Sequence, residues 1–63
     1  MLIEVTKEGS GSILINTNRI ETVQPTRTSL NWNCSQITLI DGTYIICQES
    51  YECIKNMIKG KNK

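Results

Sequence analysis

The 63-residue chain has no histidine and no phenylalanine, a single proline, a single tryptophan and a formal net charge of +1. Each shortage removes a class of function. Without histidine a Cys/His zinc site is impossible, and the usual general base of acid–base catalysis is missing. A net charge this small gives no strong field for nucleic acid or for an anionic membrane. No apolar run is long enough to span a bilayer, and no basic region leads into a long apolar stretch as in a signal peptide. A soluble, cytoplasmic protein is therefore expected. The three cysteines, Cys34, Cys47 and Cys53, are odd in number and form no CxxC pair. They read as ordinary thiols in a reducing compartment and not as a disulfide framework. Three thiolates alone rarely close a metal site, so neither metal nor cofactor is expected.

What the chain does have is β-forming sequence, and its centre is Ile37-Thr38-Leu39-Ile40-Asp41-Gly42-Thr43-Tyr44-Ile45-Ile46-Cys47. Asp-Gly between two such runs is a strong hairpin signal. A two-residue type I′ turn at Asp41-Gly42 predicts the pairs Ile40–Thr43, Leu39–Tyr44, Thr38–Ile45 and Ile37–Ile46. One face would carry Ile37, Leu39, Tyr44 and Ile46. The other would carry Gln36, Thr38, Ile40, Thr43, Ile45 and Cys47. Both faces hold large apolar residues, and a chain of this size buries only ~60% of the surface it exposes when unfolded. Self-association is the expected source of further burial.

Around this hairpin the remaining elements fall in order. Leu2 to Lys7 reads as a first strand with Ile3 and Val5 on one face. Glu8-Gly9-Ser10-Gly11 is a hairpin turn, since the Gly-Lys-Ser/Thr and helix of a phosphate loop do not follow it. Ser12 to Asn16 is a second strand whose run Ile13-Leu14-Ile15 predicts burial on both faces. Asn16-Thr17-Asn18 is a turn cluster. The odd spacing of Ile20 and Val23 in a third strand, Ile20 to Gln24, predicts a bulge or helical turn near Arg19-Ile20. Pro25 is expected to end that strand. Thr26 to Asn33 is a polar connection leading to a fourth strand at Cys34 or Ser35. Ser50 is a good helix N-cap, Glu52 suits the first turn, and Gly60 suits the C-terminus. Between them Tyr51, Ile54, Met57 and Ile58 fall on one stripe.

The expected fold is thus α+β and mainly β: an antiparallel five-stranded meander, open or curled into a small barrel, with one C-terminal helix. Residues 1–60 make a single domain and 61–63 a basic tail.

Chemistry is sparse. The carboxylates Glu4, Glu8, Glu21, Asp41, Glu49 and Glu52 are scattered, and Cys34 has no visible activating neighbour, so no catalytic site is expected. The tail lysines Lys55, Lys59, Lys61 and Lys63 read as a solvated helix face; with one Trp, and both tyrosines expected in the core, nucleic-acid binding is poorly supported. The sharpest candidate site is the loop holding Arg27, Asn31, Trp32 and Asn33. Trp32 offers a stacking surface, Arg27 a planar donor fork, and the asparagines can read amide or base edges. Loops from two subunits, joined by Arg19, could enclose a small anionic or aromatic ligand. The plainer alternative has Trp32 folding back over the sheet edge or sealing a subunit contact, and Trp is also a frequent interface anchor.

The segments Ile3-Glu4-Val5-Thr6 and Ile15-Asn16-Thr17-Asn18-Arg19-Ile20-Glu21-Thr22-Val23, then Ile37-Thr38-Leu39, Asp41-Gly42 and Glu49-Ser50-Tyr51-Glu52, resemble the small FlbD-type proteins encoded among flagellar genes, with similar short proteins in phage genomes. The resemblance implies a cytoplasmic β-meander plus helix, linked to motility and motor torque, with no catalytic site to carry over. The sequence departs from the family pattern between Gln24 and Cys34, where the family has a shorter, more acidic turn. Two functions follow as expectations: a homo-oligomeric adaptor that presents a sheet face and loop to another protein, or a phage-type protein that sequesters a small nucleotide-like molecule.

Overall fold

A computed structural model describes residues 1–60. The elements are β1 (Leu2–Lys7), β2 (Gly11–Asn16), a 3-10 turn (Thr17–Arg19), β3 (Ile20–Thr26), β4 (Cys34–Leu39), β5 (Tyr44–Cys47) and α1 (Tyr51–Lys59). The five strands form one antiparallel sheet with one terminal helix, the fold class expected. The strand order is β2-β1-β5-β4-β3. The chain is sequential within two blocks only, the hairpin β1–β2 and the run β3-β4-β5. The 3-10 turn carries the chain from one sheet edge to the other, and β2 and β3 do not pair. Among the described residues no pairing joins these two edges, so the sheet is not closed into a barrel. The proposed tail 61–63 lies outside the described residues.

The two blocks touch along a short line. β1 and β5 pair at Lys7↔Cys47, flanked by Glu8 N–H donating to the Ile46 carbonyl and Gln48 N–H donating to the Thr6 carbonyl, 2.9 and 2.8 Å. The inner face is closed by α1, which packs on β1, β3 and β4. Ile3, Val5, Ile15, Ile37, Cys47 and Ile54 form the core there. Burying each aliphatic side chain of this kind contributes about 1.5–3 kcal/mol.

The helix forms where its caps direct it. The Ser50 hydroxyl oxygen accepts from the Cys53 N–H, 3.2 Å, and Gly60 closes the last turn at φ +82°, a left-handed conformation costly for any residue with a Cβ. Ile54 is fully buried, while Met57 and Tyr51 are half-buried. A helix of nine residues is too short to persist alone, so its docking and its existence are one event.

Four expectations need correction. The β4–β5 register is Ser35↔Cys47, Gln36↔Ile46, Ile37↔Ile45 and Thr38↔Tyr44, one residue away from the two-residue turn. Leu39 N–H donates to the Thr43 carbonyl and Gly42 N–H to the Leu39 carbonyl, 2.8 and 2.9 Å, so the loop is Ile40-Asp41-Gly42 with Gly42 at φ +94°. This is the three-residue hairpin loop closed by a glycine bulge. A one-residue slip reverses every side chain of one strand. Ile45 and Cys47 therefore join Ile37 and Leu39 inside, and Tyr44 and Ile46 turn outward. Second, the apolar run in β2 is not buried on both faces: β2 is an edge strand, Ile15 is buried, and Leu14 is 64% exposed. Third, β3 runs through Pro25 to Thr26, with Pro25 opposite Ser35. An edge strand tolerates proline because half of its N–H groups have no ladder partner to lose. Fourth, the tyrosines are not core residues; Tyr44 is exposed and Tyr51 half-buried. The irregularity expected near Arg19-Ile20 is present as the 3-10 turn and a register shift between Ile20 and Thr22.

Candidate functional site

The connection from β3 to β4 is built on its own hydrogen bonds. Thr28 N–H donates to the Asn31 carbonyl, 2.8 Å, and the Thr28 hydroxyl oxygen accepts from the N–H groups of Leu30 and Asn31, 3.2 and 3.1 Å. Asn31 is held at both ends of its side chain. Its Nδ2 donates to the Gln48 carbonyl, 3.2 Å, and its Oδ1 accepts from the Asn33 N–H, 3.0 Å. The loop is thereby tied to the end of β5. Below it the buried Cys34 thiol sits 3.5 Å from the carbonyls of Thr26 and Asn31.

This scaffold lifts two side chains clear of the protein. Trp32 is 77% exposed, and it does not fold back over the sheet edge. The Arg27 guanidinium carbon lies 5.3 Å from the centroid of the Trp32 ring. A cation–π pair at an exposed position contributes about 0.5–1 kcal/mol, enough to bias both side chains toward one arrangement. Leu30, in the same loop, is also exposed.

Of the five candidate residues, the structure brings Arg27 and Trp32 together and places Asn33 next in the loop with an exposed side chain. Asn31 has a structural task, because both ends of its amide are engaged within the chain. Arg19 lies elsewhere. It ends the 3-10 turn at the opposite end of β3, its carbonyl accepting from Ile40 N–H at 2.9 Å. Seven strand residues separate it from the loop, about 23 Å at ~3.3 Å per residue, so within one chain it cannot share a ligand with Trp32. Its charge acts on Asp41. The Thr43 hydroxyl and backbone N–H, at 2.7 and 3.0 Å, hold the Asp41 carboxyl below its ordinary value, and Arg19 adds to this.

Two concavities flank these elements, and neither was legible from the loop residues. One, about 360 Å3, is lined by Glu8, Gly9, Leu30, Asn31 and Gln48. The other, about 570 Å3, lies between β1 and α1 and is lined by Met1, Leu2, Ile3, Glu4, Cys53, Asn56 and Met57. Among the described residues no group of three or more His, Cys, Asp or Glu side chains is placed to hold a metal ion. The three thiols are free. Burial pushes the Cys47 thiol up to about 11, with the neighbouring Glu49 and Cys34 adding to the shift, so it stays protonated and unreactive at neutral pH. Among the described residues no helix is long and apolar enough to cross a membrane.

No protein-family model matches the chain, and no curated protein or solved structure matches it.

Proposed function

We propose that this chain is a non-enzymatic interaction module of the cytoplasm that assembles with a second copy of itself, in keeping with its resemblance to FlbD-type proteins. The observation that carries this reading is the free edge of β2. The strand Gly11-Ser12-Ile13-Leu14-Ile15-Asn16 holds no charge and no proline, and Leu14 stands exposed on its outer face. Exposed strand edges are ordinarily blunted by charged residues, proline or a covering segment. The opposite edge, β3, carries such devices in Glu21 and Pro25. An uncharged edge also suits a two-fold partner, because a strand paired antiparallel with its own copy sets each residue near its symmetry mate. Sedimentation velocity across a concentration series tests this. The wild-type chain is expected to dimerise, and Leu14→Lys, which sets like charges across the two-fold, to sediment as a monomer with an unchanged far-ultraviolet dichroism spectrum. A wild-type monomer at every concentration rejects the reading.

A second reading rests on Arg27 and Trp32. An exposed indole under a guanidinium suits a molecule with a flat ring and a phosphate, the ring stacking on Trp32 and the phosphate taking the Arg27 fork. The chain would then sequester a nucleotide-like ligand, as a phage-type protein would. Titration with adenosine monophosphate should quench Trp32 fluorescence, and Arg27→Ala should weaken the response at least tenfold. An unchanged emission spectrum at saturating nucleotide removes this reading.

A further inference from the structure

The larger concavity has a wall of unusual composition. In the β1–β2 ladder the register is Leu2↔Asn16, Ile3↔Ile15, Glu4↔Leu14 and Val5↔Ile13, and Thr17 N–H donates to the Met1 carbonyl at 2.8 Å. That bond fixes the alternation: the odd-numbered residues of β1 turn their main-chain groups toward β2, and Leu2, Glu4 and Thr6 turn theirs the other way. At Thr6 those groups are met. Its carbonyl accepts from Gln48 N–H, and its N–H donates to the Glu49 carboxylate, both at 2.8 Å. Beyond this point β5 has ended, and the chain leaves through Glu49 and Ser50 into α1. On the side away from β2, no strand lies beside Leu2 and Glu4 among the described residues. Their N–H and C=O groups open into the groove of about 570 Å3, whose far wall is Cys53, Asn56 and Met57 of the helix.

We infer that this groove captures an extended peptide from another protein, added to β1 as a short antiparallel strand in line with β5, with an apolar side chain lodged between Ile3 and Met57. This names a partner class for the interaction module proposed above. The occupant follows from the groups that face it. Donors and acceptors spaced along a strand edge, repeating every second residue, are met in full only by another extended backbone. A strand edge facing a helix across a slot is the geometry of strand addition, in which main-chain bonds supply affinity and alternate side-chain pockets supply specificity. The molecule already satisfies this edge once in that manner, since the Glu49 carboxylate takes the Thr6 N–H where a strand carbonyl would sit. That side chain also closes the slot at one end, limiting the added strand to the few residues opposite Met1 to Glu4. The charges near the slot, Glu4 in its lining and Glu49 at its closed end, favour a peptide carrying Lys or Arg beside its apolar residue.

The test pans a display library of random heptapeptides against the full chain and measures the selected peptides by fluorescence anisotropy. Amide exchange of the bound state should slow at Leu2 and Glu4 and stay unchanged at Ile3, whose N–H already serves β2. Saturating peptide should also slow alkylation of the exposed Cys53 by iodoacetamide, and methylating alternate peptide nitrogens should weaken binding at least tenfold. Asn56→Trp, which fills the slot from the helix side, should do the same, whereas diluting the wild-type chain below its self-association range should leave peptide binding unchanged. No selected peptide, or selected peptides that leave Cys53 alkylation and the Leu2 and Glu4 amides unaffected, overturns the inference. Loss of binding on that dilution overturns it too, because the site would then depend on the other edge. A monomeric wild type that still captures peptide rejects self-assembly alone.

Discussion

Replacing Ile54 with alanine should remove about 2–5 kcal/mol of stability, the range for truncating a fully buried aliphatic side chain. Domains hold roughly 0.05–0.15 kcal/mol per residue, so a chain this size has about 3–9 kcal/mol in total. One substitution therefore takes away a large share of what keeps it folded, from about a fifth to all of it. The effect is concentrated because Ile54 is the buried residue of α1 and touches the core that both sheet blocks share. Once its side chain is cut back, the nine-residue helix has too little contact to stay docked, and undocking uncovers Ile3, Val5 and Ile37 together. Urea denaturation followed by far-ultraviolet dichroism should show the midpoint collapse, while Lys59→Ala on the exposed helix end should shift stability by no more than ~0.5 kcal/mol. An Ile54→Ala chain within 1 kcal/mol of wild type, roughly the average for any point substitution, would mean that the helix is not what closes the core.

The second large effect is expected at the junction of β5 and α1. Ser35 is 0% exposed, and its hydroxyl donates to the Glu49 carbonyl at 2.6 Å. Ser35→Ala leaves that carbonyl without its donor, a change that costs about 1–3 kcal/mol when the group is buried. The same residue clamps β1 with its side chain, its two carboxylate oxygens accepting from the Thr6 N–H and hydroxyl, each at 2.8 Å. Partial burial raises the Glu49 carboxyl, and the two Thr6 bonds outweigh it, leaving it below the ordinary 4.5. A carboxyl depressed in the folded state stabilises fully above its unfolded value and loses that contribution as pH falls through the folded one. The wild-type midpoint should therefore drop as pH falls below 4.5, and Thr6→Val should flatten this limb by removing one of the two donors. The amplitude will be modest, because the carboxylate is largely open to solvent and screened by it. A Ser35→Ala midpoint equal to wild type would show that the Glu49 carbonyl finds water instead.

Much of the fold could be read from residue types with strong local preferences. Ser50 and Gly60 marked the helix ends because each satisfies a need that few other residues can. Asp41-Gly42 marked the hairpin for the same reason, but Asp-Gly is compatible with loops of two and of three residues. The choice between them is made by the core: drawing Ile40 into the loop puts Ile45 and Cys47 inside with Ile37. Strand order was beyond local reading, since Thr17–Arg19 says only that the chain turns, not which edge it turns toward. The candidate site divides along the same line. Arg27 and Trp32 stand out by residue type and do meet, whereas Arg19 looked near only while β3 had no measured length. The groove beside β1 left a trace in the sequence that is plain in retrospect. β5 is shorter than β1, and Glu49-Ser50 starts a helix where more strand was needed to cover Leu2 and Glu4.

Pro25 and Glu21 on β3 bear on how far such a sheet can grow. A protein with two adhesive borders stacks without end, each new copy offering the next one a place to dock. Here one border is spoiled, so copies joined along β2, as proposed, would use up that side of both molecules at once. Growth along β2 would then stop at a pair, adding burial without building a fibre.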